Sequence, residues 1–533
     1  MLSPRRVCLL GVALLSASAR AQTQTPSPII DVGYAKYQGF VDTVTNITQF
    51  LGVRYAAPPI GDLRFRAPAA PANEPGVQIA TFQPNWCMQS GDGTSPVNPL
   101  RQKREAAQAP EDCLFLNVYY PSDAVGTPPK KLLPTLVWIH GGGYLGGAAI
   151  GASGEDVVIR GNREVVVVVI QYRLGVFGFL AGTEVKKNGN LNAGLLDQDF
   201  ALRWVNQHVS KFGGDPAKVT IWGQSAGAGS VLQHVIAHGG KTEPQLFRGA
   251  ITSSTFLPSQ YHYDDYVPEW IFKQVLTQTN CSKASDAMAC LRAVDQAVLQ
   301  TANTNINTAG FYGTFLTVPV VDGTFITQRP TLSLLQGKVN GQALLSTTNV
   351  NEGIDFVNQS VKTTAAEYAY DLFPNFRAIE SGVVGALYRG LGDDLFQTNL
   401  VQGESIFICP TYYLLNAFRG RAFKGEFAVP PALHSDDYLY YWPNGVDPPF
   451  NNKDFIDAFA QVFTSFIVNL DPNKKLAPTI LPKWNHYSDG LGGTEMLFNK
   501  TEDGKPVIKQ VKTGLKLLER CLFWESVGGL TGQ

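Results

Sequence analysis

The chain has 533 residues, 44% of them hydrophobic and only 16% charged, with a formal net charge of −1. That composition supplies a large buried core and excludes a disordered or fibrous chain. With no basic excess and no dense basic cluster, it carries no electrostatic footprint for nucleic acid.

Residues 1–21 read as a secretory signal. Arg5-Arg6 is a short basic start, Val7–Leu15 an apolar run too short to span a bilayer, and Ala19-Arg20-Ala21 an A-x-A cleavage site. Gln22 is then the first mature residue, and a secreted protein without a transmembrane segment is expected. Cys8 leaves with the signal. The six remaining cysteines, Cys87, Cys113, Cys281, Cys290, Cys409 and Cys521, predict three disulfides, although an even count alone fixes no pairing. No C-x-x-C occurs and the histidines are scattered, so no metal and no other cofactor is expected. Sequons at Asn46, Asn280, Asn358 and Asn499 are candidate glycosylation sites that agree with secretion.

In chain order, Ile29–Tyr55 has β character with turn breaks and predicts an N-terminal hairpin at a sheet edge, stopped by Ala56-Ala57-Pro58-Pro59. The loop between Cys87 and Cys113 is mostly polar and holds no aromatic residue. Cys113–Tyr120 and Pro134–His140 are buried-strand candidates, and the second empties into Gly141-Gly142-Gly143. Val165–Tyr172 is a continuous β-branched run, the mark of a strand buried on both faces. Leu191–Phe212 has helical spacing and ends at Gly213-Gly214. Phe247–Ser253 and Ala343–Thr347 are further strands. Trp270–Thr279, Leu291–Thr301, much of Phe356–Asp393, Phe455–Val468 and Lys509–Ser526 read as helices. This alternation predicts an α/β fold, a large mostly parallel sheet covered by helices, with no good domain boundary between residues 22 and 533.

Val219-Thr220-Ile221-Trp222 runs into Gly223-Gln224-Ser225-Ala226-Gly227, and helix-compatible residues follow. A strand that becomes a helix this abruptly needs small neighbours and lifts its middle residue above the sheet. This is the G-x-S-x-G nucleophile elbow, with Ser225 as nucleophile. A serine hydroxyl needs a base, and the base an orienting acid. Glu352, just past the Ala343–Thr347 strand, is the candidate acid. The order Ser, acid, His leaves His434 and His486 as candidate bases and does not choose between them. The backbone N–H groups of the Gly141–Gly143 run and of Ala226 can serve as oxyanion donors.

Eight ordered blocks resemble one family: FLGVRYAAPPIGDLRF (Phe50–Phe65), EDCLFLNVY (Glu111–Tyr119), WIHGGGY (Trp138–Tyr144), YRLGVFGFL (Tyr172–Leu180), FGGDPAKVTIWGQSAG (Phe212–Gly227), VPVVDG (Val318–Gly323), TNVNEG (Thr348–Gly353) and ALHSDDYLY around His434. The chain is similar to the type-B carboxylesterases and lipases, the cholinesterase and fungal-lipase branch of the α/β-hydrolases. The resemblance implies a single α/β-hydrolase domain over residues 22–533 that hydrolyses a small-molecule or lipid-like ester through an acyl-enzyme. It assigns Ser225 as nucleophile, Glu352 as acid, His434 as base, and Gly142, Gly143 and Ala226 as oxyanion-hole donors. It implies disulfides Cys87–Cys113, Cys281–Cys290 and Cys409–Cys521, and framework ion pairs Arg64–Glu111 and Arg173–Asp197. Gly313 and Phe315 overlap the family's acyl pocket, where Gly313 in place of a bulky aromatic implies acyl groups larger than acetyl. Tyr261, His262, Tyr263 and Tyr266 are candidate entrance residues. Gln224 departs from the usual Glu before the nucleophile, and Ser435-Asp436-Asp437 from the usual Gly after the base. The short polar Cys87–Cys113 loop lacks a cation platform and favours an esterase over a lipase or cholinesterase. Adhesion proteins that have lost the triad form a third reading.

Overall fold

The computed structural model describes residues 27–95, 110–360, 362–488 and 493–533. The signal-like residues 1–21 and most of the Cys87–Cys113 loop therefore lie outside the described residues.

Fourteen strands are described: β1 (Ile29–Asp31), β2 (Lys36–Gln38), β3 (Phe40–Asp42), β4 (Ile47–Arg54), β5 (Val77–Ile79), β6 (Phe115–Pro121), β7 (Leu133–Ile139), β8 (Val166–Ile170), β9 (Gly214–Gln224), β10 (Gly249–Ser253), β11 (Ala343–Asn349), β12 (Ala422–Phe427), β13 (Thr494–Lys500) and β14 (Pro506–Lys512). Eleven of them form one sheet in the order β14-β13-β12-β11-β10-β9-β7-β8-β6-β4-β3. From β8 through β13 every pairing is parallel. Antiparallel pairs close both ends, with the expected β3–β4 hairpin at one edge and β14 at the other. β1 and β2 belong instead to a separate small sheet with β5.

The parallel strands read as apolar runs because helices cover both faces. β7, β8, β10 and β11 are buried at every position. Val166, Val168 and Ile170 point to one core and Val167 and Val169 to the other, as period-two alternation demands. The helix Lys453–Asn469 covers the second face with Phe455, Phe459, Phe463 and Phe466.

Two of the predicted helices differ from the sequence reading. Lys509–Ser526 is not one helix: Pro506–Lys512 pairs along all of β13, and only Leu515–Ser526 is helical. Leu291–Thr301 spans a break at Val294-Asp295, where the Asp295 carboxylate accepts from Ala297 N–H and starts a new helix, Gln296–Thr308.

Three disulfides join Cys87–Cys113, Cys281–Cys290 and Cys409–Cys521. Both ion pairs form in buried surroundings. Arg64 grips Glu111 through Nε (2.8 Å) and Nη2 and donates to Leu291 O and Val294 O, which ties the N-terminal region to the helix Ala287–Ala293. Arg173 meets both Asp197 oxygens at 2.7 Å. Removing one partner of such a pair strands a charge in the core, at a cost of about 3–5 kcal/mol. Asp197→Ala is therefore expected to lower the urea midpoint sharply, whereas alanine at the exposed Lys187 should leave it within error.

Candidate active site

β9 passes into the helix Ala226–Ile236 with Ser225 alone between them. A Cβ on Gly223 would stand 2.2 Å from the Gly227 carbonyl carbon, and one on Gly227 would stand 2.0 Å from the Ile139 carbonyl oxygen at the end of β7. Both positions need glycine for the helix to start this close to the sheet. The compression leaves Ser225 at φ 56°, ψ −125°, outside the regions an L residue prefers. Its N–H donates to Ser253 O at 2.9 Å, which anchors the elbow to β10.

β7 opens into His140-Gly141-Gly142-Gly143. Burial pushes the His140 imidazole down to about 4, so it is neutral, and it stacks on Tyr172 at 4.5 Å. With Tyr172 Oη donating to His140 O (2.8 Å), the ring fixes the start of the loop. Gly142 and Gly143 have φ of 102° and 63°. A Cβ on Gly141 would lie 3.1 Å from Ser225 Cβ, and one on Gly143 would overlap the Phe315 ring. The loop is thus wedged between Ser225 and Phe315. The N–H groups of Gly142, Gly143 and Ala226 donate to no acceptor among the described residues.

Glu352 and His434 arrive on neighbouring strands. Beyond the β11–β12 pairing, an isolated parallel bridge joins Asn351 to Leu433, one residue before each side chain. His434 Nδ1 donates to Glu352 Oε2 at 2.6 Å, and Glu352 Oε1 accepts from Ser254 Oγ and Asn349 N–H, both at 2.7 Å. Phe356 and Phe407 flank the imidazole, with centroids at 5.0 and 4.6 Å. His486 is not in this group; it is exposed and lies on Phe423. Ser225 Oγ makes no hydrogen bond to His434 among the described residues. His434 Nε2 instead faces Gln224 Nε2 at 3.3 Å. Resting catalytic contacts of this kind are often loose until substrate is bound.

The sequence-level family resemblance now has an independent measure. The Carboxylesterase family model matches residues 26–524. The chain belongs to the carboxylesterase family. It is a carboxylic ester hydrolase of that family. It is 32% identical over 495 residues to Secreted lipase 1 of Botryotinia fuckeliana, covering 83% of this chain and 84% of the relative. It is 29% identical over 562 residues to Carboxylesterase patB of Penicillium expansum, covering 94% and 96%. The crystal structure of Aspergillus niger EstA superposes with a TM-score of 0.83 at 28% identity, covering 95% of this chain and 99% of that one.

Behind Phe315, whose ring abuts Gly143, lies a cavity of about 440 Å³ whose lining includes none of Ser225, Glu352 and His434. Phe256, Phe315 and Ile406 form its inner wall, and Tyr266, Trp270 and Tyr370 its outer one. Tyr261 lines it as well, while His262 is exposed beside Asp264. Phe407 links cavity and site, since it stacks on Phe256 (5.4 Å) and contacts His434. It comes from a π-helical turn, Glu404–Ile408, clamped by the Arg520–Glu404 pair and the Cys409–Cys521 disulfide. Gly313 borders the cavity, but its missing side chain points elsewhere: a Cβ there would stand 2.1 Å from Phe356 O. A bulky residue at Gly313 would push the Phe356 segment against His434 rather than fill the cavity. Phe315 is the residue that sets the width there.

Ser254, Asn349 and the aromatic flank of His434 were missed by sequence reasoning. Only Asn349, three residues before Glu352, carried a local signal. Behind Glu352, Asn349 Nδ2 donates to Ser254 Oγ (3.2 Å) and to Asp437 Oδ1 (3.1 Å), and Tyr441 Oη donates to Asp437 Oδ2 (3.2 Å). Burial pushes the Asp437 carboxyl up to about 6, only partly opposed by the Asn349 bond. A raised carboxyl adds stability that is full below its unfolded value, near 4, and lost as pH climbs through the folded one. Asp437→Asn keeps the shape and removes the titration. The fall in Tm between pH 4.5 and 7.5 is expected to shrink in this variant, and an unchanged Tm difference in differential scanning calorimetry would contradict that.

Proposed function

We propose that this carboxylesterase is a secreted serine esterase, with residues 1–21 as signal peptide and residues 22–533 as one catalytic α/β-hydrolase domain. The observation that carries the reading is the 2.6 Å Glu352–His434 contact beside a strained Ser225, next to three backbone N–H groups with no acceptor among the described residues.

In this reading Ser225 Oγ attacks the ester carbonyl carbon while its proton passes to His434 Nε2. Glu352 accepts the hydrogen bond from His434 Nδ1–H and stabilises the imidazolium. The carbonyl oxygen becomes an oxyanion held by Gly142, Gly143 and Ala226, each donor contributing on the order of 3 kcal/mol to the transition state. His434 then protonates the leaving alkoxide, and the alcohol departs. Water repeats the sequence on the acyl-enzyme, with its proton going to His434 and then back to Ser225. No step calls for a metal or organic cofactor.

The cavity supports an ester with a sizeable apolar group, and its size argues against a pocket shaped for acetate. An esterase is favoured over a lipase because the described start of the Cys87–Cys113 loop is fastened to the cavity wall. Gly93 N–H donates to Thr314 O, Ser95 N–H to Gly310 O, and Gly313 N–H back to Gly93 O. Backbone pairing of that kind suits a fixed wall better than a swinging flap. Three disulfides and the likeness to a secreted lipase support secretion. Of the sequons, Asn280 is exposed and Asn46, Asn358 and Asn499 are half-buried, so Asn280 is the most accessible glycosylation site.

Ser225→Ala is expected to abolish p-nitrophenyl ester hydrolysis and fluorophosphonate labelling with an unchanged circular dichroism spectrum. Retained labelling would overturn the triad. Along an acyl series, kcat/KM should rise by up to about two-hundredfold from acetate to hexanoate, since each of the four added methylenes contributes about 0.8 kcal/mol when buried. A rate jump on emulsified triglyceride above its solubility limit would favour the lipase instead.

A further inference from the structure

Gln224 is 6% exposed and stands between the elbow and the base. One side of its amide faces His434 Nε2 at 3.3 Å, and the same nitrogen donates to Ser435 Oγ at 2.7 Å. The protonation pattern of the ring follows from its other contact. Glu352 can only accept, so His434 Nδ1 carries a proton and, in the neutral ring, Nε2 presents a lone pair. An amide N–H pointed at that lone pair is attractive. Pointed at the N–H of an imidazolium it is repulsive, donor against donor.

The rest of the surroundings pulls the other way. Glu352 is bonded to the ring, Asp355 follows it on the same segment, and Asp436 and Asp437 follow His434 itself. Phe356 and Phe407 cover the ring without charge, and Ser435 supplies a hydroxyl. Glu352 accepts on one side of the ring while the Gln224 amide donates on the other, so the two contacts make opposite demands on the ring protons.

We infer that Gln224 is a positioning residue that holds His434 in its neutral, proton-accepting form, anchored for that task by Ser435, and so extends ester hydrolysis towards lower pH. Ser225 Oγ–H must displace this amide contact when it delivers its proton to Nε2. The inference rests on the Ser225–His434–Glu352 reading, and its test separates the two.

The first measurement is fluorophosphonate titration of wild type and Ser225→Ala, which decides the triad alone. The second is the pH profile of kcat/KM for p-nitrophenyl butyrate in wild type, Gln224→Glu, Gln224→Met and Ser435→Ala. A carboxylate in place of the amide turns a donor into an acceptor facing Nε2, and an opposite charge at this range favours the protonated ring by about one pH unit or more. The acid limb of Gln224→Glu should move up by about that much. Gln224→Met, which deletes the donor without adding charge, should move it the same way but less, and Ser435→Ala should give the smallest shift. KM should change less than kcat on the acid side. If the variants label fully but all acid limbs coincide with wild type, Gln224 is only a packing residue and the inference fails while the triad stands. Should Gln224→Glu not fold, the Gln224→Met and Ser435→Ala profiles decide it by the same criterion.

Discussion

Two missing Cβ atoms govern this protein. Gly223 and Gly227 allow the helix Ala226–Ile236 to begin in contact with the Ile139 carbonyl, a distance at which any side chain would collide with backbone. Everything at the rim follows from that contact. It forces Ser225 into its uncommon conformation, exposes the Ala226 N–H to the cleft, and brings the glycine loop after β7 alongside the serine. The energy for holding a strained residue in place comes from the sheet, where β9 is paired along its length by β7 and β10.

The parts of the fold legible in the sequence are those where burial demands an unbroken apolar run. Val166–Ile170 and Leu133–Ile139 lie in the middle of the sheet and could hardly be read otherwise. The strands beyond β11 were illegible for a physical reason. β12 contains Lys424 and Glu426, which interrupt the apolar run that marks a buried strand. Yet Lys424 is fully buried, donating to Thr348 Oγ1 and Gly425 O and pairing with Glu495 on β13. A charge neutralised by a partner some seventy residues away has no local signature. β14 failed similarly: its alternation is that of a half-covered edge, and its tail continues into helical spacing.

In the site, chain order and loop position were enough to propose a nucleophile and an acid. They could not choose between His434 and His486, because both follow the last predicted strand. The distinction lies in the Asn351–Leu433 bridge, which depends on a strand that could not be seen. The support beneath the pair, from Ser254 through Asn349 to Asp437 and Tyr441, joins three segments and is equally non-local. Gln224 was visible only as a departure from the Glu usual in the family it resembles. Only its geometry shows which atoms it addresses.

Glu352 and His434 hang from an isolated bridge between adjacent strand ends, whereas Ser225 is mounted on a different strand by a turn of its own. The segment from Ala428 to Ala432 therefore spans two fixed points, Ala428 N–H on Phe498 O and Asn351 N–H on Ala432 O. Between them Val429 and Ala432 are buried in the second core and Pro431 O accepts from Asn351 Nδ2, so the span is packed as well as pinned. An insertion there would disturb the Asn351–Leu433 bridge, and the strand ends share the elbow's intolerance of added length.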